Sequence, residues 1–371
     1  MKCKLLATAM LAATILIGCT TKNNNTLIRA GLGNKCGYID KTGKWVINPQ
    51  FNWAYDFTEN GLARVSLNGK RGYIDKTGKL VINQPFNETF DFAENGLACV
   101  ELNYKWGCID KTGKWVINPQ FDWVEFVGND LAIAKLNGKY GFIDQTGIWV
   151  INPQFDEVGS FAENGLAYAK LNGKYGFIDQ TGNWVINPQF GLTGGFAENG
   201  LAVVSLNGKE GYIDTTGNWV IAPQFDYAYN FTENGLARVE LDEKLGYIDK
   251  TGNLVINLQF DGALDFAKNG LAHAYLNGKW GYIDETGNWV IKPQFDWVYN
   301  FTENGLARVK LNGKCGYIDT TGNWVISPQY DNMIIFENTI FFKQKGKWGI
   351  IDEKGNIVVK PQFDWVVDKY L

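Results

Sequence analysis

Apolar and polar positions along this chain repeat on two scales. Over short stretches they alternate, as in Leu62-Ala63-Arg64-Val65-Ser66-Leu67 and Lys70-Arg71-Gly72-Tyr73-Ile74-Asp75, which is the period of a strand rather than of a helix. Asn68-Gly69 stands between these two runs, and that dipeptide is the strongest short-range signal of a two-residue hairpin turn. The turn fixes the register, so Ala63, Val65, Leu67 and Ile74 fall on one side of the hairpin and Arg64 falls opposite Tyr73 on the other. Elsewhere the second side pairs Arg238 with Tyr247 and Arg308 with Tyr317, or sets Phe142, Phe177 and Tyr212 against Ile133, Tyr168 and Val203. Cation–π or aromatic pairs across the strands are expected there. Both sides carry apolar or aromatic groups, so both require cover, and a neighbouring repeat must supply at least one.

On the long scale the phrase Gly-x-Ile-Asp returns with its glycine at Gly37, Gly72, Gly107, Gly141, Gly176, Gly211, Gly246, Gly281, Gly316 and Gly349. The period is about 35 residues, inside the window of solenoids, propellers and other arrays. An Asp-x-Thr-Gly turn follows, then a third strand, Trp-Val-Ile, as at Trp45, Trp115 and Trp149. The nine prolines lie at or beside one column just beyond it, where a residue that cannot donate to a ladder fits a strand edge or end. Two phenylalanine columns, Phe51 with Phe86 and Phe121, and Phe57 with Phe92 and Phe126, read as the spine of the array.

Cutting before the Leu-Ala pair divides residues 27–371 into ten all-β repeats, beginning at Leu27, Leu62, Leu97, Leu131, Leu166, Leu201, Leu236, Leu271, Leu306 and Thr339. Propellers typically hold four to eight blades, so ten three-stranded units favour an open superhelix or solenoid; a closed propeller-like ring is the alternative. Atypical end repeats point the same way, because capping units often differ: Gly33-Asn34 replaces Asn-Gly in the first, and Thr339-Ile340-Phe341-Phe342 replaces Leu-Ala-Arg-Val in the last.

What precedes the array reads as an address. Lys2 and Lys4, an apolar run from Leu5 to Ile17, and Leu16-Ile17-Gly18-Cys19 make a secretory signal, since a membrane span needs about 20 apolar residues. The Leu-Ile-Gly-Cys ending resembles the lipobox of bacterial lipoproteins. That resemblance implies a signal peptide over residues 1–18, cleavage between Gly18 and Cys19, lipid on the Cys19 sulfur, and a polar tether over residues 19–26. It places the protein in the bacterial cell envelope, and Thr20 favours the outer over the inner membrane. Aromatic residues make up 15% of the chain and hydrophobic residues 45%, which excludes disorder. The net charge is −4, and loss of Lys2 and Lys4 with the signal takes it to −6; with no basic stripe, nucleic acid is not an expected partner.

Cysteine and histidine usage narrows the chemistry. In the third hairpin the turn is Asn103-Tyr104, which sets Cys99 directly across from Cys108 at a position where side chains approach most closely. In an exported protein this pair is expected to form a cross-strand disulfide, with two buried thiols as the alternative. Cys36 and Cys315 share another column as isolated substitutions. The one histidine, His273, reads as a partly buried surface variant beside Tyr282 rather than a catalyst. The repeated aspartates Asp40, Asp75, Asp110 and their counterparts read as turn acceptors, because one carboxylate per turn lacks the oxygen cluster calcium requires. No phosphate loop, metal motif or cluster of unlike catalytic groups stands out, so neither an enzyme nor a cofactor is expected.

The Gly-Tyr-Ile-Asp and Trp-Val-Ile-x-Pro blocks, with Trp106-Gly107, Trp280-Gly281 and Trp348-Gly349, resemble the bacterial WG-repeat (KWG-repeat) proteins over residues 27–371. The resemblance implies a β-repeat array and brings no activity with it. The expected function is a lipid-anchored scaffold, held to the membrane through Cys19, that presents an extended face to a protein or an envelope polymer. Glycan is one candidate polymer, through Trp106, Tyr140 and Tyr175, although repeat packing explains those rings more simply. An accessory enzyme or inhibitor with a site built across repeats is the second reading.

Overall fold

The computed structural model describes residues 26–127, 131–336 and 338–366. Among them, forty strands form ten separate four-stranded antiparallel sheets. Sheet 2 is typical: a short strand Trp53–Ala54, a hairpin of Ala63–Leu67 and Lys70–Ile74, and an edge strand Leu80–Phe86, hydrogen-bonded in that order. Sheets 3 to 10 repeat this plan, starting at residues 88, 123, 157, 193, 227, 262, 297 and 332. Each unit therefore has a fourth strand that three-stranded repeats do not include. It is only two to five residues long, too short to show as an alternating pattern.

The hairpins follow from the sequence. Asn68 and Gly69 both take positive φ, 52° and 77°, as the type I′ turn demands, and Leu67 faces Lys70 across it. The edge strand runs further than Trp-Val-Ile, through the proline to the phenylalanine, Trp45–Phe51 in sheet 1. It manages this by arching: Cys36 pairs with Phe51 and Tyr38 with Ile47, so three residues of the edge strand oppose Gly37 alone. Pro49 sits in the arch on a free edge, where no N–H is needed. A Cβ on Gly37 would collide with the Ile47 carbonyl and the Asn48–Pro49 peptide, and the same holds at Gly107 against Ile117 and Pro119. The recurring glycine is thus required by close backbone approach rather than by a turn.

Apolar clusters join the sheets, and they show how the array ends. Each cluster spans two consecutive sheets. Cys36, Tyr38, Ile47 and Phe51 of sheet 1, for example, pack against Ala54, Ala63, Val65 and Ile74 of sheet 2. Sheet 2 then offers Tyr73, Ile82 and Phe86 from its other face to Ala98, Val100 and Ile109 of sheet 3. Nine such seams would suffice for an open stack, but there are ten: Phe341, Trp348, Ile350 and Phe363 of sheet 10 pack against Ile28, Ala30, Ile39 and Val366 of sheet 1.

This tenth seam corrects the expectation of an open superhelix; the chain is a closed, ten-bladed propeller ring. Its last strand, Trp365–Val366, is the fourth strand of sheet 1, with Ala30 opposite Val366 and Gly31 opposite Trp365. The unusual Thr339-Ile340-Phe341-Phe342 run caps nothing. Ile340 and Phe342 pack toward sheet 9, and Phe341 packs toward sheet 1. The seam works because the first repeat lacks a short strand and the last one ends on a spare.

A second correction concerns the arginine column. Arg64 does face Tyr73 in register, but its guanidinium lies over Tyr55, 3.9 Å from the ring centroid, and extends into sheet 3 to meet Asp91 and the Thr89 carbonyl. Arg29, Arg238 and Arg308 reach forward into the next sheet in the same way. The Tyr73 hydroxyl likewise donates to the Phe90 carbonyl of sheet 3, at 2.7 Å. The residues expected to tie one hairpin together instead tie neighbouring blades together.

Candidate binding surface

In sheets built from one run of chain, antiparallel pairing brings two sets of loops to the same end of the blade. One set is the Asp-x-Thr-Gly turn leading into the edge strand, and the other is the Phe-x-Glu-Asn-Gly loop leading from the short strand into the hairpin. The Asn-Gly turns lie at the opposite end. In the turn of sheet 2, Asp75 Oδ1 accepts from the Thr77 hydroxyl at 2.5 Å, the Thr77 N–H at 2.9 Å and the Lys79 N–H at 3.1 Å. These donors, the Thr77 hydroxyl foremost, hold the Asp75 carboxyl below its ordinary value. One oxygen of each such carboxylate is taken up by the turn, and among the described residues there is no cluster of three or more His, Cys, Asp or Glu side chains placed to hold a metal ion.

The second set is more open. Asn60 Oδ1 accepts from the Leu62 N–H and the Thr58 hydroxyl, and Gly61 takes a φ of 82°, which leaves Glu59 projecting into solvent. In sheets 6 to 9 these loops, with turn residues of sheets 7 to 9, border a cavity of about 1380 Å³ that is open to solvent. Its lining combines Glu198, Asn199, Glu233, Asn234, Asn269 and Glu303 with Lys250, Lys268 and Glu285, over the rings of Phe196, Phe231, Phe266 and Phe301. Asn234 Nδ2 donates to Glu285 Oε1 at 3.0 Å, and Lys268 meets Glu233 at 3.5 Å, so loops of different sheets touch across it. Amides and carboxylates over aromatic rings can hydrogen-bond hydroxyl or amide groups of a ligand.

The residues singled out from sequence fall in several places. Gly18 and Cys19 lie outside the described residues. Cys99 and Cys108 face each other in register, with Cα atoms 4.0 Å apart, and are joined as a disulfide. Cys36 and Cys315 are free and buried, and burial pushes the Cys36 thiol up to about 11. Trp106 and Tyr175 are buried; Trp106 stacks on Phe90 with ring centroids 4.8 Å apart, and the Tyr175 hydroxyl donates to Glu157. Packing contacts occupy the Trp106 and Tyr175 rings, while Tyr140 is half-buried with Trp123 edge-on to it, ring centroids 6.4 Å apart. Glu210, in the same column, is buried with its carboxylate accepting from the Ala228 N–H at 2.6 Å.

His273 is a correction: it is only 3% exposed, not a surface variant. It fills the arginine column of sheet 8, edge-on to Tyr282, and neither ring nitrogen has a hydrogen-bond partner. Burial pushes its pKa down to about 4. Sequence reasoning missed the cavity, because each lining residue is an unremarkable loop position and only ring curvature brings four such loops together.

Comparison with known proteins agrees with this architecture. No curated protein matches the chain in sequence. Among solved structures, the crystal structure of a eukaryotic initiation factor aligns with a TM-score of 0.55 at 10% identity, covering 92% of this chain and 97% of that one. At that identity the likeness concerns the fold alone. Hsv2p from Kluyveromyces lactis (TM-score 0.38, 9% identity, 67% of this chain and 99% of that one) and AztD from Citrobacter koseri (0.34, 13%, 92% and 96%) align more loosely. The WG containing repeat profile matches ten times, at residues 37–70, 72–106, 106–140, 140–175, 175–209, 211–244, 246–280, 280–315, 316–348 and 348–368. With one match for each blade of the ring, the chain belongs to the WG containing repeat family.

Proposed function

We propose that this propeller is a binding scaffold of the bacterial envelope, held to the membrane by lipid on Cys19, and that the loop end of sheets 6 to 9 is where its ligand sits. The ligand is a protein or an envelope polymer, glycan included, and no nucleic acid or cofactor takes part. The cavity carries this reading. Its lining departs from strict repetition, with Lys268 where most other loops hold glutamate, and Glu285 in a turn column that holds lysine, glutamine or threonine everywhere else but at Glu353. Its floor stands on blades fixed by apolar seams, so a ligand meets preorganised donors and acceptors.

The test uses the chain from residue 20, which retains every strand of the ring, in glycan-array and envelope pull-down experiments. A defined ligand whose affinity falls about tenfold, the loss of one or two hydrogen bonds, in Asn234→Ala and Glu285→Ala supports the scaffold. Binding indifferent to both substitutions overturns the cavity as the site. Turnover abolished by a single substitution would instead establish the second reading, an enzyme or inhibitor with a site built across blades. Lipidation is tested separately: the full chain should incorporate labelled fatty acid and Cys19→Ser should not, and equal labelling of the variant would refute the anchor.

A further inference from the structure

The ten turns at the loop end are alike in shape but unlike in charge. In sheets 1, 2 and 3 each reads Asp-Lys-Thr-Gly-Lys, which places Lys41 and Lys44, Lys76 and Lys79, and Lys111 and Lys114 on three successive blades. In sheets 4 to 10 the second lysine becomes Ile148 once and asparagine six times, and the first survives only as Lys250. The three turns are contiguous: Gly78 of sheet 2 rests on Ile47 of sheet 1, and Gly113 of sheet 3 rests on Ile82 of sheet 2. Five of the six lysines are exposed and Lys41 is half-buried. Lysines elsewhere in the ring, such as Lys105, Lys139 and Lys209, reach an aspartate of the next blade; among the described residues these six form no ion pair.

The chain enters the ring at the same place. Strand Ile28–Leu32 of sheet 1 starts at the end of the blade that carries the turn of Asp40, so residues 1–25 are joined to the fold beside Lys41 and Lys44. We infer that this arc of lysines docks on an anionic bilayer surface and thereby sets which side of the ring faces the membrane. The ammonium groups would meet lipid phosphates, and the exposed Val46, Val81 and Val116, two residues beyond Lys44, Lys79 and Lys114, would add apolar contact at the headgroup level. Opposing charges are close. Asp40, Asp75 and Asp110 lie in the same turns with their carboxylates bound to backbone and hydroxyl donors, and Glu59 and Glu94 stand exposed on the other loop set. The excess is therefore modest, suited to orienting a protein held by other means, and the acidic cavity of sheets 6 to 9 lies on a different arc of the same end of the ring.

The experiment is vesicle co-sedimentation at low ionic strength with the chain from residue 20, which lacks Cys19. A failure here therefore leaves the lipid anchor and the cavity untouched. Vesicles containing phosphatidylglycerol should bind the protein and pure phosphatidylcholine vesicles should not. The variant Lys44→Asn/Lys79→Asn/Lys114→Asn puts at each site the residue that most other blades already carry, so it should fold. Its partition should fall at least about tenfold, given about 1 kcal/mol for each lysine near an anionic surface. The charge-matched variant Lys174→Gln/Lys292→Gln/Lys360→Gln should bind as the parent does, and added salt should abolish the binding of both. Equal loss in the two variants, no binding to phosphatidylglycerol, or binding to polyphosphate without binding to vesicles would each overturn the inference.

Discussion

Sheet 2 is made from one run of chain, residues 53–86, whereas sheet 1 is assembled from the two ends of the described chain, yet their bonds correspond one for one. In sheet 2 the Asn52 N–H donates to the Ser66 carbonyl at 2.8 Å and Asn52 Oδ1 accepts from the Asn68 N–H at 3.1 Å. In sheet 1 the Asp364 N–H donates to the Gly31 carbonyl at 2.9 Å and Asp364 Oδ2 accepts from the Gly33 N–H at 2.8 Å. Lys347 pairs with Asp364 across the seam just as Lys279 pairs with Asp296 between continuous blades. What differs is covalent: Ala54 is tied to Ala63 by a short loop, while Val366 finds Ala30 only by closing a loop of the whole ring, an entropic cost that grows slowly with length. The seam should therefore be the place where equal contacts yield least local stability.

The largest test removes the seam strand. Ending the chain at Gln362 deletes Phe363 and Val366, 1% and 3% exposed, and should destabilise by about 3–6 kcal/mol in chemical denaturation, at 1.5–3 kcal/mol for each buried side chain. A permuted chain that joins Val366 to Leu27 through a linker and opens at Asn60-Gly61 should move that sensitivity to sheet 2. If truncation costs the same in both forms, covalent continuity is irrelevant to the blades.

Next in size is the contrast between sheet 8 and the arginine blades. The pKa of His273 is lower in the fold, about 4, than its ordinary 6.5. The unfolded chain therefore binds the proton first, and stability that is complete above pH 6.5 is lost as pH falls toward 4. The loss should reach about 3 kcal/mol. Denaturation midpoints of His273→Phe across this window should lack that part of the slope; an unchanged slope would mean that His273 is not the group responsible.

Smaller again is Gly107→Ala, where the new methyl meets the Ile117 carbonyl and Pro119. About 1–3 kcal/mol should be lost, against a few tenths for Gly61→Asn, whose site is open though at positive φ. Comparable melting temperatures for the two variants would contradict close approach as the reason for the glycine. Smallest is the comparison of Lys347→Ala with Lys279→Ala. Both pairs are well exposed, and each should cost about 0.2–1 kcal/mol. A markedly larger effect at Lys347 would show the ion pair holding the ring shut.

Much of this was legible in the residues. Two-residue turns, Asn103-Tyr104 standing where other repeats have Asn-Gly, set the hairpin register through which Cys99 meets Cys108, and alternation placed Ala63, Val65 and Ile74 on a face that does pack against a neighbour. Closure was not read from the residues: blade-count precedent and the atypical end repeats pointed to an open array, and only the pairing of Trp365-Val366 with Ala30-Gly31 shows the ring. Side-chain reach was not legible. An arginine that could close a pair with Tyr73 in its own hairpin instead crosses to Asp91, because blade-to-blade distance is set by the ring and not by any local pattern. For the same reason the cavity had no sequence signature, since its walls come from loops about 35 residues apart.

Ring closure is the claim on which the rest depends, and a cross-link tests it most directly. In a chain whose other cysteines are replaced, Gly31→Cys and Trp365→Cys place two thiols on directly paired residues of sheet 1, the indole that lies over Gly31 being removed by the second substitution. Mild oxidation of the dilute, folded chain should yield an intramolecular disulfide, seen as a reducible shift in gel mobility without dimer. An open array, with its ends on opposite sides of eight intervening blades, would give free thiols or intermolecular dimers instead.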